Sequence, residues 1–286
     1  MKLRWKALLG IGLMSLLTLG LAGCSNGNQR SEGVKGNKEI VFATTGDERM
    51  SSYHSPKTHK LIGYEVEIDK QIAKGLHRKA VFKEMAVPEE LTAIKTGKAD
   101  MAGEFALSSV YKKNYLFSKT VKYTYGALLV RAGDQSGIHS WKDIKGKRSA
   151  GEAGTTYQKW AQYMGAKLVN YDNASGILND IANGKADFVP NDNYGLHMNV
   201  KYSPVKGLAI AKGLYYRTNL MGPGEGYLIN KKDTQLQKEV NQQLTKLKKN
   251  GTLKRIFIKY YGVDLSKPSN AHIKYFHVPA KYKGLQ

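Results

Sequence analysis

The chain has 286 residues, 41% hydrophobic and 24% charged, the composition of an ordinary globular body with enough length for one large or two modest domains. Lys and Arg number 45 against 23 Asp and Glu, a formal charge of +22, and the single cysteine excludes a disulfide framework or a thiolate metal site. So basic a protein in the cytoplasm would suggest nucleic acid. Here the basic residues are spread along the chain without interleaved aromatic motifs, and no P-loop, nucleophile elbow or zinc motif occurs.

The chain opens with Lys2, Arg4 and Lys6, then an apolar run from Ala7 to Ala22 broken by Ser15, Thr18 and glycines. This is the pattern of a secretory signal, and it is too short for a comfortable transmembrane helix of about 20 apolar residues. Leu21-Ala22-Gly23-Cys24 resembles the lipobox of bacterial lipoproteins. That resemblance implies cleavage before Cys24, diacylation of its thiol, and a location outside the cell on the membrane; an incidental thiol is the bland alternative. Each acyl methylene contributes ~0.8 kcal/mol to anchoring. Residues 1–23 are expected to be the signal, and 24–37, rich in Ser, Gly and Asn, a flexible tether. Outside the cell, the positive charge suits anionic lipid headgroups and cell-wall polyanions, with a lineage-wide basic surface as the alternative.

From Lys38 the chain alternates strands and helices. Glu39 to Thr44 reads as a strand, and Lys79 to Lys83 as another. Between them Tyr64, Ile68, Ile72 and Leu76 form one ridge on a helix from about Glu65 to Leu76. This order argues for parallel βαβ units. Leu91 to Ala102 then predicts a helix, a glycine stop at Gly97 and a buried strand, and the same pattern returns from Ile177 to Val189 with its stop at Gly184. The second copy has a similar introduction: a strand at Lys147 to Ala150, a helix opened by Thr155 or Thr156 and running to Met164, and a strand at Lys167 to Tyr171.

The repeat implies two similar lobes, the first from 38–127 plus 226–262 and the second from 128–225. Tyr125 to Arg131 and Gly226 to Asn230 read as the two crossings, and two crossings make a hinge suited to ligand capture. A helix from about Thr234 to Lys249, a stop at Asn250-Gly251 and a helix ending near Tyr261-Gly262 follow. Residues 263–286 have prolines, no clear period and no assigned role.

Several segments, in order and spacing, resemble the polar amino-acid family of extracytoplasmic solute-binding proteins, the receptors of ABC importers. They are Gly63 to Ile68 with Ile72-Ala73 and Leu76, Phe117-Ser118, Leu128 to Arg131, Ser140 to Lys147, Ala153 to Thr156, and Leu247 to Ile256. The resemblance covers about 38–262. It implies an α/β, two-lobed, type II periplasmic-binding-protein-like fold, each lobe a small, mainly parallel sheet flanked by helices. It also implies a monomer without cofactor that captures a small polar amino acid, cationic or cystine-like, and delivers it to a permease without doing chemistry.

Thr155 and Thr156 fall at a helix N-terminus, where free amides favour an anion such as the ligand carboxylate; Thr155 read structurally is an N-cap. The resemblance places the acid that binds the ligand ammonium at Asp192, where a charge-assisted bond could contribute ~1.5–3 kcal/mol; another N-cap is the alternative. The family's carboxylate-binding arginine is missing. Counting back from Phe117 puts Tyr111 in its place, and counting forward from Asp100 puts Lys112 there, a point charge without the guanidinium fork. Arg49 is a second candidate.

Of the aromatics that many relatives place around the ligand, only Tyr53 is nearby, and Glu48 and Ser51 occupy the counted positions. Glu104 and Glu152 are expected near strand ends facing the cleft, which hints at a cationic ligand, with solvated surface carboxylates the alternative. His54 with His59, and His272 with His277, match no compact metal-ligand spacing. Two other functions compete: a surface adhesin for host or wall polymers, and a dehydratase-like enzyme using Glu104 and Glu152.

Overall fold

The computed structural model describes residues 38–171, 176–269 and 272–282. The expected signal, tether and lipidated Cys24 lie outside them. No helix among the described residues is long and apolar enough to cross a membrane.

Two large sheets form the body of the molecule. The first has the order Lys79–Glu84, Glu39–Thr44, Met101–Ala106, Glu225–Asn230, Tyr115–Phe117; its first three strands are parallel and Glu225–Asn230 runs against both neighbours. The second repeats the plan with Lys167–Tyr171, Arg148–Glu152, Phe188–Asp192 and then antiparallel Gly126–Arg131. Each sheet thus takes its fourth strand from a crossing segment, as the internal repeat and the two expected crossings require.

The repeat carries a structural aspartate in each lobe. Helix Val87–Thr96 ends at Gly97 in the left-handed conformation, and Asp100 accepts a 2.7 Å hydrogen bond from the Val41 amide at the neighbouring strand. In the second copy Asp187 accepts from the Arg148 amide at 2.8 Å. Burial raises the Asp187 carboxyl, and hydrogen bonds from Arg148 outweigh it and hold it below the usual range. One acid per lobe therefore ties the repeat's helix-to-strand turn to the neighbouring parallel strand.

The first core packs helix Tyr64–Gly75 against the sheet through Tyr64, Ile68 and Ile72, all at most 3% exposed, with Val240 and Phe257 from the last two helices, Thr234–Lys249 and Thr252–Tyr261. The second core is aromatic. Trp160 stacks on Tyr216 with centroids 3.8 Å apart, and Phe276 and Trp141 close around them.

Phe276 belongs to the segment without an assigned role. Lys274–Phe276 adds a parallel edge strand to the second sheet beside Tyr216–Thr218, and Val278 is fully buried, while Leu265, nearer the start of the segment, is buried in the first core. Three residues are too few for a period to show, which is why the sequence is silent there. The segment that carries Glu48, Arg49, Ser51 and Tyr53 forms a small antiparallel sheet of Asp47–Glu48, Ser52–His54 and Leu61–Ile62.

Gly63 joins that small sheet to its helix with φ 145° and ψ 170°, and a Cβ there would lie 1.7 Å from the Ser51 carbonyl oxygen. Both backbone conformation and space demand glycine. Gly63→Ala is expected to cost on the order of 3 kcal/mol of stability, read as a lower urea midpoint at unchanged slope.

Candidate ligand cleft

Between the two sheets lies a cavity of about 310 Å³ lined from both lobes. Seven carboxylates line it, Asp47, Glu48, Glu65, Glu90, Glu104, Glu152 and Glu225, and Arg49 is its one lining cation among the described residues. A protein of charge +22 thus keeps an acidic interior. Burial and mutual repulsion both disfavour the charged form of such groups, so without a counter-charge they do not all stay ionised.

Their carboxyls respond accordingly. Burial, then the charge of Glu104, pushes Glu48, Glu65 and Glu90 well above the usual range. Burial and then Asp47 push Glu152 up to about 7. Burial also raises Glu225 to about 7, against the opposing charge of Lys122.

Glu104 reaches the cavity because of a backbone irregularity. It has φ 58° within strand Met101–Ala106, opposite a register shift between Gly226 and Leu228. Such a bulge re-aims a side chain. Its carboxylate accepts hydrogen bonds from the Tyr64 hydroxyl and, at 3.3 Å, from Lys122.

Lys122 is the centre of charge that sequence reasoning missed. Only 3% exposed, it places Nζ 2.9 Å from Glu225 Oε2, 3.2 Å from Asp192 Oδ2 and 3.3 Å from Glu104 Oε1. The Tyr64 and Tyr261 rings lie 5.2 and 5.8 Å from it. Burial alone would depress its ammonium; the charges of Asp192 and Glu225 outweigh burial and hold it well above the usual lysine range. Glu104 comes from the first lobe and Asp192 from the second, so one ammonium ties the lobes together beside the crossing strands.

Asp192 ends strand Phe188–Asp192 and caps helix Asn193–Tyr202, accepting from the amides of Tyr194 at 3.2 Å and Gly195 at 2.9 Å. The Thr124 hydroxyl and Lys122 take its remaining lone-pair positions. The cap geometry is therefore present, and Asp192 pairs with Lys122 and is not among the residues lining the cavity.

Thr155 and Thr156 line the cavity at the start of helix Thr156–Tyr163; the Thr155 hydroxyl accepts from the Gln158 amide at 3.3 Å and donates to the Glu152 carbonyl at 3.1 Å. Tyr111 lines it half-buried, edge-on to Phe105 with centroids 5.6 Å apart. Arg49 stands exposed at the rim, its guanidinium 5.1 Å from the Tyr202 ring of the opposite lobe.

Two candidates fall elsewhere. Tyr53 sits half-buried in the small sheet and does not line the cavity. Lys112 is exposed and lines a separate depression with Lys119, Lys248 and Lys249, because the short helix Ser109–Lys112 turns its last residue away from the cleft that Tyr111 faces. The nearby His54 is tied to Glu84 at 2.8 Å and to the His59 carbonyl at 2.9 Å.

Glu90 was also missed. It is 4% exposed in the first turn of helix Val87–Thr96, lines the cavity, and its carboxyl has no hydrogen-bond or ion-pair partner among the described residues. In sequence it follows Pro88-Glu89 and reads as an ordinary acidic first turn. Only the burial of its side chain distinguishes it.

Comparison with known proteins agrees with this architecture. Residues 40–263 match the model of the bacterial extracellular solute-binding proteins, family 3. The probable ABC transporter extracellular-binding protein YckB of Bacillus subtilis is 38% identical over 211 residues, which cover 65% of this chain and 74% of that one. The L-cystine-binding protein TcyA of the same organism is 30% identical over 92% of this chain and 99% of its own. Among solved structures, an ancestral arginine-binding protein bound to arginine superposes with a TM-score of 0.72 at 26% identity, covering 79% of this chain and 99% of that one. With its two sheets, shared crossing strands and family match over nearly all the described residues, the chain belongs to family 3 of the bacterial extracellular solute-binding proteins.

Proposed function

We propose that the protein is the receptor of an ABC-type importer, binding a small amino acid or derivative between its lobes and presenting it to a membrane permease. One observation carries this reading: a cavity of ligand size lined from both lobes, with Glu90 and Glu104 on one side and Glu152 and Thr156 on the other. A ligand touching both sides binds the closed arrangement better than the open one and shifts the population toward it. Relatives that bind L-cystine and arginine support an amino-acid-like ligand. In this reading the protein is a monomer without cofactor, returns its ligand unchanged, and is held on the outer face of the cell membrane by acyl chains on Cys24.

The experiment is a thermal-shift screen of the full chain against the amino acids, cystine and common polyamines. A ligand that binds only the folded state adds about 2.7 kcal/mol at a hundredfold excess over its Kd, a shift of roughly 5–10 °C for a chain of this size. Recovery of the ligand chemically unchanged would separate a receptor from the dehydratase-like alternative, and absence of any shift would reject the receptor.

A second reading is favoured by one feature, the depression lined by Lys112, Lys119, Lys248 and Lys249. Such a patch suits wall polyanions, and adhesion through it would weaken steeply with added salt.

A further inference from the structure

Resting on the receptor reading, a more specific conclusion follows from the charge inside the cleft. Glu90 is a buried carboxyl that lines the cavity with no partner among the described residues. Glu152 faces the same space from the second lobe, and Asp47 adds a third acid near both. A buried, unpartnered carboxyl is unfavourable when ionised and is stabilised once a cation comes to it.

A ligand carboxylate has no comparable seat. Arg49 is the only lining cation among the described residues, and it stands at the rim against Tyr202. Lys122 has its charge committed to three carboxylates of the protein. What remains for an anion is the start of helix Thr156–Tyr163, a partial charge facing several full ones of opposite effect.

We infer that the ligand is an amine or guanidine carrying net positive charge and no free carboxylate, its cationic group seated between Glu90 of the first lobe and Glu152 of the second. Aliphatic diamines and guanidino-amines have this chemistry. Such a ligand differs from a zwitterionic amino acid in lacking the carboxylate, for which only the rim residue Arg49 offers a full counter-charge among the described lining residues.

Matched pairs test it. Isothermal titration of the full chain in mild detergent would compare arginine with agmatine and ornithine with putrescine, each pair differing by the carboxylate, with glutamine and cystine as zwitterionic references. The decarboxylated member should bind at least tenfold tighter, and Glu90→Gln and Glu152→Gln should each weaken it tenfold or more. Both variants keep side-chain volume, and unfolding curves would verify that they are folded. Tighter binding of the amino acid in both pairs, or of glutamine or cystine alone, would overturn the inference and leave the receptor standing. Agmatine or putrescine binding unchanged in both variants would overturn the assigned seat. No binding by any of the six compounds would overturn the receptor reading as well.

Discussion

Lys122→Met is expected to remove about 3–5 kcal/mol of folding stability at neutral pH, the scale for leaving buried charges without their partner. Methionine fills much of the lysine's space and keeps contact with Tyr64 and Tyr261, so packing changes little. What changes is that Glu104, Asp192 and Glu225 lose the ammonium they share at 2.9–3.3 Å. In the wild type the lysine's folded value is raised. Its stabilisation is therefore complete below the unfolded lysine value and disappears only as pH rises through the still higher folded value, leaving it constant across the neutral range.

In the variant Glu225, which burial already raises to about 7, loses the opposing charge of Lys122 and binds its proton more tightly folded than unfolded, so stability must fall as pH rises through the neutral range. Urea unfolding at pH 5 and pH 8, followed by tryptophan fluorescence, should show the variant closer to wild type at pH 5. Lys122→Met combined with Glu225→Gln should recover part of the loss, because one of the stranded charges is gone. An equal deficit at both pH values would mean that packing, rather than charge, is what Lys122 supplies.

The contrast between Lys122 and the repeat shows which features a sequence can display. The two helix-glycine-strand units stand out because each is written within a dozen consecutive residues, and local period and a glycine stop suffice to find them. Asp192 and Thr155 were recognisable for a related reason: each sits where a strand gives way to a helix, so a cap is a local necessity. Lys122 gathers acids from positions 104, 192 and 225, and nothing in Val121-Lys122-Tyr123 announces partners so distant.

Tyr111 and Lys112 are neighbours in sequence, yet a single turn of helix sends one to the cleft and the other to the outer surface. Counting along the chain cannot resolve a difference of one helical step. The edge strand Lys274–Phe276 is illegible for another reason, since its three residues acquire strand character only by pairing with Tyr216–Thr218.

Binding of a cation in the cleft is expected to weaken about tenfold between pH 8 and pH 6, the ratio of ionised fractions for a carboxyl near 7. Glu152 is the group concerned: burial first, then the charge of Asp47, brings it to about 7. It faces Asp47 from the small sheet, Glu90 from helix Val87–Thr96 and Glu48 from the first lobe, all acids, and Arg49 is the only cation lining the same space among the described residues. An incoming ammonium or guanidinium stabilises the ionised form, so binding drives a proton off and protons compete with the ligand below pH 7. Without ligand the sign is reversed: a carboxyl raised by folding makes the empty protein less stable as pH rises from its unfolded value toward 7. Rising pH thus loosens the empty receptor while tightening the occupied one. Titrations in two buffers of different ionisation enthalpy should reveal proton release at pH 7, and Glu152→Gln should flatten the dependence. A pH-independent affinity with no proton release would mean that the cleft carboxyls do not meet the ligand's charge.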